Sequence, residues 1–351
     1  MTPSHRIGVV IVYHDRPHMI GRVLESLGRQ DQSIERIVVV DNGSEPPLIA
    51  SPPVEVERIY PAVGLSAARN IGLRRLDSDL VLLLDDDVCP APDCLGRLVA
   101  AQLDTRAAVI CPRIVVEPDD RLIQCDGASI HFAGMLALRN KGARVGHVTS
   151  SRFQSTGFIG ACMLVDRSRL LHIGGFDEDF YFYLEDLELS YRLAALGHAA
   201  WCEPRAVATH HLGAGTPGLS FRGVGPYPPR RAYYTLRHRW LAMLLHYQAR
   251  TWLVLSPALA VYELAALVEC LRRGWLREWI RAAWSLLVGG RSVIRRRRRA
   301  QHARRVPDRD ILSAGALPFA TGFASSEAAA RAIRLLDLTL NRYWRWIRGI
   351  L

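Results

Sequence analysis

The sequence predicts an α/β fold built around a mainly parallel sheet, and three observations carry that expectation. Short apolar runs alternate with helical segments over residues 7–111, as in parallel strands joined by crossover helices. The runs are apolar at successive positions, as strands buried on both faces are. One of them, Leu80–Leu84, ends in three consecutive carboxylates, Asp85, Asp86 and Asp87, and open α/β sheets bind ligands at the carboxyl ends of their strands.

Ile7–Tyr13 is the first strand. Asp15, Arg16 and Pro17 then offer an N-cap and a proline near the first helical position. Ile20, Val23, Leu24 and Leu27 follow at i, i+3, i+4 and i+7 on one helix face. Ile37–Val40 is a second strand, closed by Asp41, Asn42, Gly43 and Ser44, and Val54–Ile59 is a third. Gly64–Leu76 reads as a helix leading into Leu80–Leu84. Beyond Asp87 the pattern predicts a helix from Asp93, a strand over Ala107–Cys111, hairpins within Asp126–Gly146 and a strand over Gly160–Val165. Leu184–Gly197 is a helix with a glycine stop, and Ala199–His211 is extended. Gly213, Gly215, Gly218, Gly223 and Gly225 then form a loop suited to be a lid and a domain boundary. The expected organisation is a first domain over residues 1–230, a helical membrane-associated region over 231–305, and a C-terminal loop and amphipathic helix over 306–351.

Composition limits the partners. The net charge of +11 lies in one place, because Arg272–Arg305 holds 12 arginines against one glutamate and the remainder is balanced. The acid-bearing part is therefore no polyanion surface, and nucleic acid is not expected as a partner. The seven cysteines are odd in number and form no C-x-x-C pair. A disulfide framework or zinc site is unexpected, and a reducing compartment fits. Residues 1–6 run into the first strand without a signal-peptide core.

Two acidic groups carry chemistry. Three acids at one strand end repel each other unless a cation sits between them, and hard oxygen ligands suit Mg²⁺ or Mn²⁺. A solvated turn is the other reading, because Asp is a common turn residue. Glu185, Asp186 and Glu188 open the Leu184–Gly197 helix just after Tyr181, Phe182 and Tyr183. Acids in a first helical turn complement the macrodipole. Beside apolar and aromatic groups they are equally candidates for a general base.

Taken in order, the Ile7–Tyr13 strand, the Asp41–Ser44 turn, Gly64–Gly72, the Asp85–Asp87 triplet, Gly174–Asp177 and Tyr183–Leu189 resemble the family 2 glycosyltransferases over about residues 5–240. Within that family the chain is most similar to the bacterial rhamnosyltransferase-like branch. The resemblance implies a GT-A fold and inversion by single displacement on a nucleotide-diphosphate sugar, with one sugar passed to a glycan or polyprenyl-linked acceptor. It implies a divalent cation, Mg²⁺ or Mn²⁺, at Asp87 with Asp85 and His210, stabilising the departing diphosphate. It also implies donor contacts at Tyr13, Asp41, Arg69, Asn70, Asp85 and Asp86. Asp186 would accept the acceptor's proton, with Glu185 orienting it or the acceptor. Processive members carry Gln-x-x-Arg-Trp; here Arg239 and Trp240 are present but Leu236 replaces the glutamine, so a single transfer is expected. Glu188 stands where many relatives have aspartate, a change expected to be neutral. The alternatives are a sugar nucleotidyltransferase and a non-catalytic scaffold of the same fold. The former would show a glycine-rich loop where this chain has His14, Asp15, Arg16 and Pro17.

The C-terminal third has membrane character. Thr251–Leu271 approaches the ~20 residues needed to span a bilayer, but Pro257, Glu263 and Glu269 lie inside it, and carboxylates in hydrocarbon are costly. Trp275, Trp279 and Trp284 among arginines suit an interface, and Arg295–Arg299 suits anionic headgroups. Trp344 and Trp346 repeat that character in a last helix over Ser326–Ile350. The expectation is a peripheral or monotopic protein on the cytoplasmic face of the bacterial inner membrane.

Overall fold

The computed structural model describes residues 5–211, 228–316 and 327–351; the expected glycine-rich lid falls outside the described residues. Strand β1 (Ile7–Tyr13) is apolar at nearly every position and lies in the middle of the sheet. Successive side chains point to opposite faces, so Val9, Ile11 and Tyr13 enter one core while Val10 and Val12 enter another. The first core is closed by α1 (Pro17–Gly28) and α3 (Cys94–Thr105); the second by α2 (Leu65–Arg75), α4 (Arg167–His172) and α5 (Glu185–Ala195).

The strands are β2 (Arg36–Asn42), β3 (Val54–Ile59), β4 (Leu80–Asp85), β5 (Val88–Pro90), β6 (Val109–Val116), β7 (Ile123–Asp126), β8 (Ala128–His131), β9 (Met135–Leu138), β10 (Phe153–Ser155), β11 (Cys162–Asp166) and β12 (Ala200–His210). The main sheet runs β10-β12-β6-β11-β4-β1-β2-β3, with β5 on β12 and β7 on β6. β3, β2, β1 and β4 are parallel neighbours. β11 enters antiparallel between β4 and β6, so β6 and its parallel neighbour β12 keep the direction of β4. The long strands therefore deliver their carboxyl ends to one edge. At the start of α1 the expected cap is corrected. Pro17 does open the helix, but its N-cap is Arg16 without a side-chain bond. Asp15 instead adopts a left-handed φ of 51° and accepts from the Glu45 amide at 2.8 Å.

The C-terminal region consists of α6 (Pro229–His246), α7 (Ala249–Arg272), α8 (Leu276–Val288), α9 (Gly290–Ala303), α10 (Asp308–Ile311), β13 (Leu312–Ser313) and α11 (Glu327–Ile347). It is tied into the rest, since β13 pairs in parallel with β8 in a second sheet, β13-β8-β9. A third core joins Ile130 and Phe132 to Leu241, Leu255, Leu312 and Trp344, and the Phe132 ring stacks on Trp344 at 5.3 Å. The boundary expected at residue 230 falls inside the first turn of α6.

Among the described helices, α7 is long and apolar enough to cross a bilayer. It lies against the protein through Leu255, Ala258, Leu259 and Tyr262. Its Glu263 is held by Arg239 and accepts from Trp240 Nε1 at 3.1 Å, so the Arg239–Trp240 pair fastens α6 to α7. The basic run is divided: Arg296 binds Asp177 and Asp179, and Arg297 donates to the Leu244 carbonyl at 2.6 Å. Arg295, Arg298 and Arg299 are exposed.

Candidate active site

The sheet edge gathers five carboxylates around two buried guanidiniums. Arg16, brought over by the turn after β1, lies 2.7 Å from Asp86 and 3.0 Å from Asp87. Burial pushes the Asp86 carboxyl up to about 7, against the pull of Arg16. His210, at the end of β12, places Nε2 3.3 Å from Asp87 Oδ1, and its Nδ1 lies 2.8 Å from Gln124 Oε1. With Nδ1–H donating to Gln124, Nε2 turns its lone pair toward a carboxylate, an arrangement suited to a cation between them.

Asp85 does not join that pair. Arg69 draws it at 2.7 Å and holds Glu185 at 2.9 Å with its other amino group, while also donating to the Gly160 carbonyl at 2.8 Å. Of the expected three-ligand cation set, Asp87 and His210 lie together while Asp85 is paired with Arg69, and no group of three or more metal-ligating side chains occurs among the described residues. Two protein donors still fit a Mg²⁺-type cation, which commonly takes its other ligands from substrate phosphate and water.

Asp186 sits beside Glu185 at the start of α5. It accepts from the Gly160 amide at 3.2 Å and the Leu187 amide at 2.8 Å. Burial, and then the charge of Glu185, push its carboxyl above the ordinary range. Glu185 is raised by burial against the pull of Arg69, and its Oε2 is buried without a hydrogen-bond partner. Gly160 serves both groups at once, and a Cβ there would lie 2.7 Å from Arg69 Nη1.

The residues before the pair are left-handed, Tyr183 at φ 66° and Leu184 at φ 63°, a conformation costing roughly 1–2 kcal/mol per non-glycine residue. Tertiary hydrogen bonds fix this turn. Ser66 Oγ donates to the Phe180 carbonyl at 2.7 Å, the Leu65 amide to that of Tyr181 at 2.7 Å, and His238 Nδ1 to that of Tyr183 at 2.7 Å. Gly64 approaches Tyr181 so closely that a Cβ would meet its carbonyl at 2.7 Å.

Three expected donor contacts lie elsewhere. Asp41 is fully buried and accepts from the Ser44 and Leu48 amides at 3.0 Å and from Arg58 at 2.6 Å; these bonds outweigh burial and hold its carboxyl below the usual range. Asn70 clamps the Gly174–Asp177 turn, donating to the Phe176 carbonyl at 2.9 Å and accepting from its amide at 2.8 Å. Tyr13 packs in the core. Asp41 and Asn70 thus spend their polar groups on the protein itself, and the structure does not bring these three residues together with the acids. Glu188 is likewise structural, joining Arg192 at 2.9 Å and His246 at 3.1 Å. Sequence reasoning missed Arg16, Gln124 and Gly160 as parts of the site. Arg16 lay within a segment read as a helix cap, and nothing local marks the other two.

Asp85, Asp86, Asp87, His210, Arg69, Glu185 and Asp186 all line one cavity of about 1870 Å³, which Tyr13, Asp41 and Asn70 do not line. A mostly parallel sheet presenting acids from its strand ends to a large cleft is the GT-A type of architecture. Residues 8–170 match glycosyl transferase family 2, and the chain carries a family 2 glycosyltransferase domain. It is 29% identical over 216 residues to the pre-mycofactocin glycosyltransferase of Mycobacterium tuberculosis, covering 59% of this chain and 43% of that protein. It is 28% identical over 235 residues to the N-acetylglucosaminyl-diphospho-decaprenol L-rhamnosyltransferase of the same species, covering 58% of this chain and 75% of that one. The chain thus spans less than half the length of the first of these relatives. The fold is shared with GalNAc-T7 solved with UDP, GalNAc and Mn²⁺ (TM-score 0.55, 16% identity, 74% of this chain and 51% of that one). It is also shared with the mannosyltransferase PcManGT of Pyrobaculum calidifontis in complex with GDP-Man and Mn²⁺ (TM-score 0.50, 18% identity, 97% and 88%).

Proposed function

We propose that the chain is an inverting glycosyltransferase that passes one sugar, rhamnose in the favoured reading, from a nucleotide-diphosphate donor to a polyprenyl-linked acceptor in cell-envelope polysaccharide synthesis. The observation that carries this reading is the bridge Asp85–Arg69–Glu185, which fixes a donor-side acid group and a base-side acid group across one cavity. Val12, Asn42 and Val63 line the donor end, with Asn42 and the Val63 backbone bonded reciprocally at 2.9 and 2.8 Å. Asp186, raised by burial, takes the proton of the attacking hydroxyl, and Gly160 and Arg69 keep its position. Asp87 and His210 would hold a divalent cation, which when bound supplies Lewis-acid stabilisation to the departing diphosphate. The Mn²⁺ in the two neighbouring structures supports that assignment. The enzyme would work on the cytoplasmic face of the inner membrane, reading anionic lipid through its C-terminal helices.

The test is donor turnover by the purified full chain across UDP-, dTDP- and GDP-sugars, with and without Mn²⁺. One donor is expected to turn over with metal, and Asp87→Ala to abolish it. With a polyprenyl-diphosphate-linked acceptor, Asp186→Asn should cost roughly 10²–10⁴-fold in transfer. Absence of both turnover and binding for every donor would leave the scaffold reading in its place.

A further inference from the structure

The cavity extends well beyond the acids. Its lining continues past Asp186 to Arg231 on α6, Arg273 at the end of α7, Trp275, Arg345 on α11 and Arg348 just beyond that helix. A nucleotide sugar held at the strand ends does not need this second part. Arg345 lies in the last turn of α11 and Arg348 just past its end, where the Arg348 amide still donates to the Trp344 carbonyl at 2.9 Å, so the chain keeps its helical course between the two arginines and holds them near one another. Both are exposed, and among the described residues no acid pairs with either side chain. Two acids do line this end. Glu269 is engaged by Arg272 and Arg273, and Asp310 lies 3.9 Å from Arg309. The helices that carry these cations are apolar on their outer surfaces, where Val268 and Leu271 on α7 and Trp346 and Ile350 beside α11's arginines are exposed. Cationic lining within and an apolar rim outside suit an amphiphile that carries its negative charge between a tail and a polar head.

We infer that Arg345 and Arg348 form a subsite for the phosphate of a lipid-linked acceptor, which enters from the α7–α11 side with its saccharide directed toward Asp186. This deepens the glycosyltransferase reading and rests on it. It separates a phosphate-linked lipid from a free glycan as acceptor. Arginine matches phosphate by bidentate, charge-assisted bonds, and nothing in the acceptor's hydroxyl chemistry would call for such cations.

The experiment compares wild type with Arg345→Ala/Arg348→Ala and Arg345→Lys/Arg348→Lys in the full chain in detergent. Acceptor KM for a polyprenyl-diphosphate-linked sugar is expected to rise roughly ten- to hundredfold in the alanine pair, the range for one or two charged hydrogen bonds. Donor KM should stay within about twofold, and the lysine pair should recover part of the loss. In a second arm, calorimetry with farnesyl diphosphate should show binding to wild type that weakens in the alanine pair. This arm does not depend on turnover, so failure of catalysis and failure of the subsite are told apart. Equal acceptor KM in wild type and alanine pair overturns the inference. So does unchanged farnesyl diphosphate binding accompanied by weaker flotation on phosphatidylglycerol vesicles, which would assign the two arginines to surface headgroups.

Discussion

Without its guanidinium, Arg69 would leave Asp85 and Glu185 facing a buried space with nothing between them. The group is almost fully buried and bound at three points, so a lysine cannot reproduce its fork. Its charge also bears on the ionisation of the proposed base, because Arg69 pulls both Glu185 and Asp186 downward against burial. Asp186 accepts a proton only when ionised, so transfer should fall as pH drops through its raised pKa. The acid limb of the kcat–pH profile is therefore expected above the ordinary carboxylate range. Arg69→Met should move that limb further upward, whereas Arg69→Lys should hold it near wild type while lowering the rate. A profile over pH 5–9 checks both, and an acid limb that stays in place in the methionine variant would remove Arg69 from this role.

At the scale of elements, α5 matters because it carries Asp186, and it is anchored by Glu188. Burial would raise Glu188, but Arg192 and His246 outweigh it and bring its pKa down to about 2. A depressed carboxyl stabilises the fold above its unfolded value and loses that contribution as pH falls through the folded one. The window here runs from about 4.5 to about 2, and the linkage amounts to about 3 kcal/mol. Glu188→Ala should lower unfolding stability by roughly 3 kcal/mol at pH 7, since it removes the carboxylate that half-buried Arg192 and buried His246 share. Urea unfolding at pH 7 and pH 3 should show a smaller difference between variant and wild type at the lower pH. α5 itself was legible in the sequence, as were β1, β2, β4 and β12, because apolar runs and turn residues are local signals. The strand acids and the helix acids were readable as candidates for the same reason. What was illegible depends on distant partners. Asp41 looks like a ligand-facing strand end until Arg58 and Leu48 fold over it, and Asn70 until the Phe176 backbone meets it. Arg16 became part of the acid cluster only through contacts with residues 70 positions away. The reversal of β11 was equally hidden, since strand direction leaves no trace in composition.

For the whole molecule, the decisive asymmetry is that the sheet domain is well covered while the C-terminal helices are apolar outside as well as inside. On α7, Leu253, Val261, Leu264, Val268 and Leu271 are exposed along one stripe. On α8, Leu276, Ile280, Trp284 and Leu287 repeat at i, i+4, i+8 and i+11 and are exposed too. α7 packs against both α8 and α11, so these outward faces belong to neighbouring helices. Single exposed apolar residues need no explanation, but a set of this size marks an interaction surface. The charge beside it argues for a bilayer over a second copy of the chain: Arg295, Arg298 and Arg299 are exposed, and each could gain ~1 kcal/mol at an anionic surface. Trp284→Glu with Leu287→Glu should therefore weaken flotation on phosphatidylglycerol vesicles by on the order of a hundredfold, from about 1.5 kcal/mol of lost apolar burial per side chain. Raising salt should remove only the arginine share, because apolar insertion is not screened. The interior packing does not involve Trp284 or Leu287, so the melting temperature should hold. If the double variant floats like wild type, the membrane role of this face is wrong. A dimer in wild type that the variant lacks, by analytical ultracentrifugation, would assign the face to a second copy instead.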